Sequence, residues 1–262
     1  MSEVQGRPTS TMSTERRYGI AISVALILGG LYWALTGLTE GTKSGQESYP
    51  VQGDTLLVKG GSAEIEIRPG DGSQVKVERQ FERNVFGHEP KEKYNEGKLE
   101  LKDSGCGFLS FGCKTSYVLT VPKDVKLTVE SSSGDVTLSG MPDGATLKTS
   151  SGDIELHDTG GPLWLESSSG DLQADGLTAT EVTTKSSSGS VDLNFAVAPT
   201  AVNAEASSGD VSIQIPAGSE SYKVETDTSS GDQTTEVKTD PTSTRRIKAD
   251  TSSGDVTVQY NQ

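Results

Sequence analysis

Apolar residues are distributed along this 262-residue chain in two different ways. From Tyr18 to Thr39 no charged residue occurs, and Gly19–Leu38 is an almost continuous apolar run. Beyond Val51 the apolar residues instead alternate with polar ones in short bursts such as Leu127-Thr-Val-Glu-Ser131. At ~1.5 Å rise per residue the apolar run is about 30 Å long as a helix, which matches a bilayer's hydrocarbon core and predicts one transmembrane helix over 18–39. Alternation with a period of two puts successive side chains on opposite faces and predicts strands. The expected fold is therefore all-β, preceded by one N-terminal transmembrane helix.

A repeat organises the strands. Ser-Ser-Gly-Asp recurs with its Gly at 134, 152, 170, 209, 231 and 254, and Gly189 holds the same place in Ser-Ser-Gly-Ser. Seven residues before the Gly stand Leu127, Ala145, Leu163, Val182, Val202, Val224 and Ile247. Three before it the residue is always small: Ser131, Thr149, Ser167, Ser186, Ala206, Thr228 or Thr251. Two and four after it stand pairs such as Val136 and Leu138, with Gln233 and Thr235 the one exception. Inward positions are thus odd before the Gly and even after it. That flip needs a corner, which Ser-Ser-Gly supplies. Each copy reads as strand, corner, strand and variable turn. One copy buries too little apolar surface to fold alone, so the copies must stack into a repetitive β-solenoid of strand-corner-strand rungs.

Upstream, Thr55–Lys59, Ala63–Ile67, Val75–Arg79, Lys98–Lys102 and Tyr117–Val121 alternate too, joined by turns such as Pro69-Gly-Asp-Gly72. They predict N-terminal strands that cap the open edge of the solenoid. The exterior domain therefore covers 51–262, with the cap at 51–122 and the repeats at 123–262.

Tyr117-Val-Leu-Thr-Val-Pro122, then Val125-Lys-Leu-Thr-Val-Glu-Ser-Ser-Ser-Gly-Asp-Val136 and the recurring Ser-Ser-Gly-Asp copies, resemble a bacterial family. It is the adhesin-like domain of unknown function built from Gly-rich β-strand repeats, the toastrack-type domain. The resemblance covers residues 50–262 and implies the solenoid architecture. It also implies a cell-envelope module, linked in some members to membrane-stress systems, and is mute about chemistry. Gly189-Ser190 and Gln233 depart from the pattern, so the resemblance leaves those two rungs open to local irregularity.

Arg16 and Arg17 stand directly before the apolar run, and Tyr18, Tyr32 and Trp33 lie near its ends. The positive-inside rule then makes 1–17 a cytoplasmic tail and puts the C-terminal bulk outside a cell membrane crossed once. A cleaved signal peptide is the competing reading, but its apolar region is normally shorter and ends in an Ala-x-Ala-like site, for which Leu35–Thr39 is a poor substitute. Met12 is an alternative start. Residues 40–50 are polar and turn-rich and read as a juxtamembrane linker.

Charge follows the same division. The formal net charge of −14 resolves into +1 for residues 1–38 and −15 for the remainder. An acidic exterior excludes nucleic acid, whose phosphates need a basic face. With 32 % hydrophobic and 5 % aromatic residues, a deep enzyme-like pocket is not expected. Two Cys and two His remove most zinc and iron–sulfur schemes, and no cofactor is expected.

Candidate chemistry is sparse. Asp135, Asp153, Asp171, Asp210, Asp232 and Asp255 follow the corner glycines, and stacking would set them ~4.8 Å apart as a like-charge ladder that calcium could relieve. The nine-residue calcium β-roll pattern is absent, however. Turn chemistry, with the carboxylate accepting backbone N–H groups, is the stronger reading. Cys106 and Cys113 lie outside the membrane, where a disulfide is the default. Phe108 and Phe111 between them either tuck over the solenoid end or form an apolar knob for a partner. Trp164, six before Gly170, points outward by parity among Thr128, Thr146 and Thr183, where it could contact a partner. His88 and His157 have no nucleophile or metal-ligand spacing beside them in sequence. A hydrolase would require one of them to meet a serine and an acid in space. The chain is accordingly expected to be a membrane-anchored, non-enzymatic, adhesin-like module that binds a cell-envelope polymer or membrane protein. An accessory or sensor of an envelope-stress response is the alternative.

Overall fold

A computed structural model describes residues 40–83, 90–102 and 114–261. The predicted transmembrane helix lies outside them, as do His88, Cys106, Phe108, Phe111 and Cys113. From Thr42 onward the chain is one unit, which is the part considered below.

The described residues form strands and no helix. In chain order these are β1 (Glu40–Pro50), β2 (Thr55–Lys59), β3 (Glu64–Gly70), β4 (Gln74–Arg83), β5 (Lys91–Asn95), β6 (Lys98–Lys102) and β7 (Thr115–Pro122). The repeats then supply β8 (Lys126–Ser131), β9 (Val136–Ser139), β10 (Ala145–Thr149), β11 (Ile154–His157), β12 (Leu163–Ser167), β13 (Leu172–Leu177) and β14 (Glu181–Ser186). They continue with β15 (Val191–Phe195), β16 (Ala201–Ala206), β17 (Val211–Ile215), β18 (Lys223–Ser230), β19 (Gln233–Glu236), β20 (Arg246–Ser253) and β21 (Val256–Tyr260).

Each repeat places its first strand in one sheet and its second in another. The ten-stranded sheet runs β18-β20-β16-β14-β12-β10-β8-β2-β6-β5, and the eleven-stranded sheet runs β1-β4-β7-β3-β9-β11-β13-β15-β17-β21-β19. Pairing between repeats is parallel and in register, for example Leu147 with Leu165 and Ile154 with Leu172. The inward positions are the buried ones: Leu127, Leu147, Leu165 and Val182 from one sheet meet Val136, Ile154, Leu172 and Val191 from the other in one continuous core. A fully buried leucine of this kind stabilises by about 1.5–3 kcal/mol. The parity flip at the corner is therefore observed.

Corner glycine is required by contact between rungs. A Cβ on Gly152, Gly170 or Gly189 would fall within 3.0 Å of the backbone of the preceding corner glycine, closer than real Cβ atoms come. No side chain other than hydrogen fits while the rungs keep their strand spacing.

Three features differ from the sequence reading. Residues 40–50, read as a linker, run as β1 at the edge of the eleven-stranded sheet, where Tyr49 stacks on Tyr94 with ring centroids 5.2 Å apart. The region 51–122 is only partly a cap. β2 and β3 form a true parallel rung against β8 and β9, and β6 and β7 form a second one outside it. Capping falls to β4 and β5, which pair antiparallel with β7 and β6. Arg79 on β4 reaches Glu92 on β5 at 2.7 Å and the Pro90 carbonyl at 3.1 Å.

Rung order is the third difference. β20 and β21 pair with β16 and β17 on one side and with β18 and β19 on the other. The rung that comes later in sequence is thus inserted between two earlier ones, and β18–β19 is outermost. This explains the exceptional Gln233 and Thr235: their inward positions face the open end of the stack, where both are exposed. Terminal repeats of a solenoid need such polar outer surfaces.

Candidate functional site

The corners build a hydrogen bond inside each of three rungs and one continuous hydrogen-bond line along the stack. On the inner side, the hydroxyls of Thr149, Ser167 and Ser186 accept the N–H of Gly152, Gly170 and Gly189 at 3.0, 2.8 and 2.9 Å. The small inward residue is thus needed for its oxygen as well as its size. Ala206 lacks one, and there the Gly209 N–H donates to the Ser253 carbonyl of the inserted rung at 2.9 Å.

On the outer side run the candidate aspartates. The Asp153 N–H donates to Asp135 Oδ1 at 3.0 Å, that of Asp171 to Asp153 at 2.8 Å, and that of Ser190 to Asp171 at 2.8 Å. Past Ser190, whose hydroxyl takes the Asp210 N–H at 3.3 Å, the line continues from Asp255 to Asp210 and from Asp232 to Asp255, both at 2.8 Å. Each carboxylate therefore clamps the next rung. The acceptor role anticipated for turn chemistry is present, but it acts between rungs rather than within one turn. Among the described residues no group of three or more His, Cys, Asp or Glu is arranged to hold a metal ion.

The exposed face of the ten-stranded sheet carries a pattern that the sequence reading passed over. Register aligns Glu100, Lys59, Glu130, Lys148, Glu166, Lys185 and Glu205, alternating in sign from strand to strand. Lys59 meets Glu130 at 2.6 Å and Lys148 meets Glu166 at 3.0 Å. Further along, Lys248 pairs with Asp250 and reaches Glu205 at 3.5 Å. The signal was available: within the repeats these are the residues four before each corner glycine. Opposite charges on adjacent strands stabilise the pairing by about 0.2–1 kcal/mol each. The hydrogen bond from Lys148, aided by its charge, holds the Glu166 carboxyl below the usual range.

Beside this ladder runs an uncharged line, Leu57, Thr128, Thr146, Trp164 and Thr183, in register across five strands. Trp164 is 45 % exposed and stands two residues before Glu166 on the outward face of β12. A shallow groove of about 760 Å³ opens at Thr146, the register neighbour of Trp164; it is floored by Leu57, Thr128, Ala145 and Thr146, walled by Gly144 and Pro162, and edged by Glu96, Lys98, Lys126, Glu130 and Asp143.

On the other sheet, His157 lies in register between Ser139 and Asp175. This is the meeting of histidine, serine and acid that a hydrolase would need, brought about by the stacking of three repeats. The hydrogen bonds of a triad are not made. The Asp175 carboxylate accepts the Gln173 amide at 3.0 Å, and among the described residues no side-chain hydrogen bond joins His157 to either neighbour. The nearby Gly140 N–H, which could otherwise serve an oxyanion, donates to the His157 carbonyl at 2.9 Å. Nucleophilic catalysis needs a base bonded to its nucleophile and free donors for the oxyanion. Neither is provided here.

A family model, Toastrack DUF4097, matches residues 54–262. The chain belongs to this family. A search of the curated proteins returns no significant match. Among solved structures, the Toastrack domain is similar to a candidate adhesin from Parabacteroides distasonis at 11 % identity, with a TM-score of 0.54 over 82 % of this chain and 97 % of that one. It is also similar to a candidate lipid-binding protein from the same species (16 % identity, TM-score 0.49, 84 % and 98 % covered) and to a candidate adhesin from Parabacteroides merdae (13 %, 0.48, 84 % and 97 %). At these identities the first likeness speaks for the fold alone, and the other two carry no further weight.

Proposed function

We propose that the Toastrack domain is the non-enzymatic binding module of a membrane-anchored envelope protein, held outside the cell membrane by a helix at 18–39. The observation that carries this reading is the exposed face of the ten-stranded sheet. It offers a repeating row of side chains in strand-to-strand register, on rungs tied at their corners by the aspartate hydrogen bonds, which suits contact with an extended partner. The apolar run with Arg16 and Arg17 before it supports the orientation, and the candidate-adhesin name borne by one structure of similar fold agrees with it.

Protease shaving of intact cells tests the topology: residues after 40 should be digested, and full protection would overturn it. Capture of cell-wall polymer and membrane fractions by the full chain tests binding. If truncation of 1–17 abolished an envelope-stress response while leaving capture intact, the module would serve a sensor instead.

A further inference from the structure

We infer that the line Leu57–Thr128–Thr146–Trp164–Thr183 and its adjoining groove form a binding site for a neutral polysaccharide chain lying across the strands. This deepens the binding reading above and rests on it.

Trp164 is the first reason. It is one of two large apolar side chains exposed by 40 % or more among the described residues. Its position is set by the strand beneath it: Leu163 and Leu165 on either side are buried in the core, and register holds Trp164 between Thr146 and Thr183. An aromatic ring presented to solvent by a core-anchored strand, beside a groove left open by Gly144 and Ala145, is a contact surface already ordered for a partner.

The periodicity of the line is the second. Five uncharged positions stand at successive rungs, so the line extends about 19 Å at ~4.8 Å per strand. The pyranose unit of an extended glycan repeats on the same scale as the rungs. Successive sugars can therefore meet successive positions: hydroxyls at Thr128, Thr146 and Thr183, and an aromatic surface at Trp164 for the C–H face of one ring.

Charge selects among polymers. The remainder of the chain beyond residue 38 carries −15, which disfavours polyanions. On this face Lys59–Glu130 and Lys148–Glu166 are paired at 2.6 and 3.0 Å, and the groove's other charges, Lys98 and Lys126 against Glu96 and Asp143, balance in sign, so the site offers no surplus charge to a polycation. A neutral chain is what remains compatible with both.

The test uses the full chain in a sugar-free detergent, titrated with cellohexaose, chitohexaose and mannohexaose as neutral probes and polygalacturonate as a polyanion. At least one neutral hexamer should quench tryptophan fluorescence, with an affinity unchanged between low and moderate salt. Trp164→Ala should weaken it about tenfold or more, and Thr146→Val by a few fold, with unaltered circular dichroism. Tighter binding of the polyanion, binding indifferent to Trp164→Ala, or no binding of any neutral hexamer would each overturn the inference. If envelope fractions are still captured when the hexamers are not, the glycan assignment alone fails. If neither is bound, the binding reading fails with it.

Discussion

Replacing Gly170 by alanine puts the stacking model under its sharpest strain. The new Cβ would collide with the Gly152 carbonyl, and the obstruction is backbone rather than a flexible side chain. Relief requires the two corners to separate. Separation gives up the Asp171 N–H bond to Asp153 at 2.8 Å, the Ile154 N–H bond to the Asp171 carbonyl at 2.9 Å and the Ser168 N–H bond to the Thr149 carbonyl at 3.3 Å. Three hydrogen bonds at ~1 kcal/mol each, with 1–2 kcal/mol of overpacking strain, come to about 4–5 kcal/mol. For a unit of this size that lowers the midpoint of thermal unfolding by about 8–20 °C. Gly53→Ala is the control: Gly53 has φ of +88° and no atom within 4 Å of its Cβ position, so it should cost only about 1 kcal/mol of backbone strain. Circular dichroism melts of the full chain would compare the first transition in each, since a repeat array need not unfold in one step. If Gly170→Ala melts within about 3 °C of the parent, steric exclusion is not why the corner is glycine.

Other outcomes follow from the same contacts. Asp171→Ala, which removes the acceptor for the Ser190 N–H, should cost about 1–2 kcal/mol in urea unfolding, while Asp171→Asn keeps an oxygen there and should cost less; equal losses would mean that the charge matters rather than the bond. Deleting residues 246–261 removes an interior rung and strips cover from Val202, Val211 and Ile213, so protease sensitivity should spread into β16 and β17; cleavage confined to β18 and β19 would contradict the rung order. Because Lys148 depresses the Glu166 carboxyl, the stability this pair contributes is present above the ordinary carboxylate pKa and is lost as pH falls through the lowered one. With both side chains 40 % or more exposed the effect is a few tenths of a kcal/mol, and in an NMR titration Lys148→Met should return Glu166 towards its usual value. Hydrolysis of p-nitrophenyl acetate by the full chain should be the same for His157→Ala and Ser139→Ala as for the parent. A rate abolished by both would make the register of β9, β11 and β13 catalytic.

Much of this architecture is legible in the residues, for a physical reason. Alternation fixes which side chains enter the core, and a flip of parity at Ser-Ser-Gly can be satisfied only by a corner, so strands, corners and parallel stacking follow from spacing alone. Lateral order is less visible, because a parallel rung can pair equally well with any neighbour of matching parity. The clue was chemical: Gln233 and Thr235 fit an end of the stack, yet a copy that obeys the rule follows them. Residues 40–50 were hidden by their polarity, since an edge strand needs few apolar positions. The charge ladder is hidden because its sign alternates from copy to copy, so no single residue type recurs four before the glycine. The alignment of Ser139, His157 and Asp175 shows the opposite hazard: repetition places chemically suggestive residues side by side without the bonds that make them act together.

The inserted rung has a consequence in time as well as in space. Domains are generally made N-terminus first, and a simple solenoid could lengthen by adding each rung to the one before it. Here β18 and β19 emerge before β20 and β21, yet their permanent neighbours are those later strands. In the finished fold Gln233 and Thr235 pair with Val256 and Val258, a row of the same character as Val211 and Ile213, so β18 and β19 can dock on β16 and β17 before the later strands exist. Completion then requires β20 and β21 to displace an outer rung already in place, or to arrive before it docks. Growth at this end therefore cannot be simple addition, since the last rung made has to enter between two made before it.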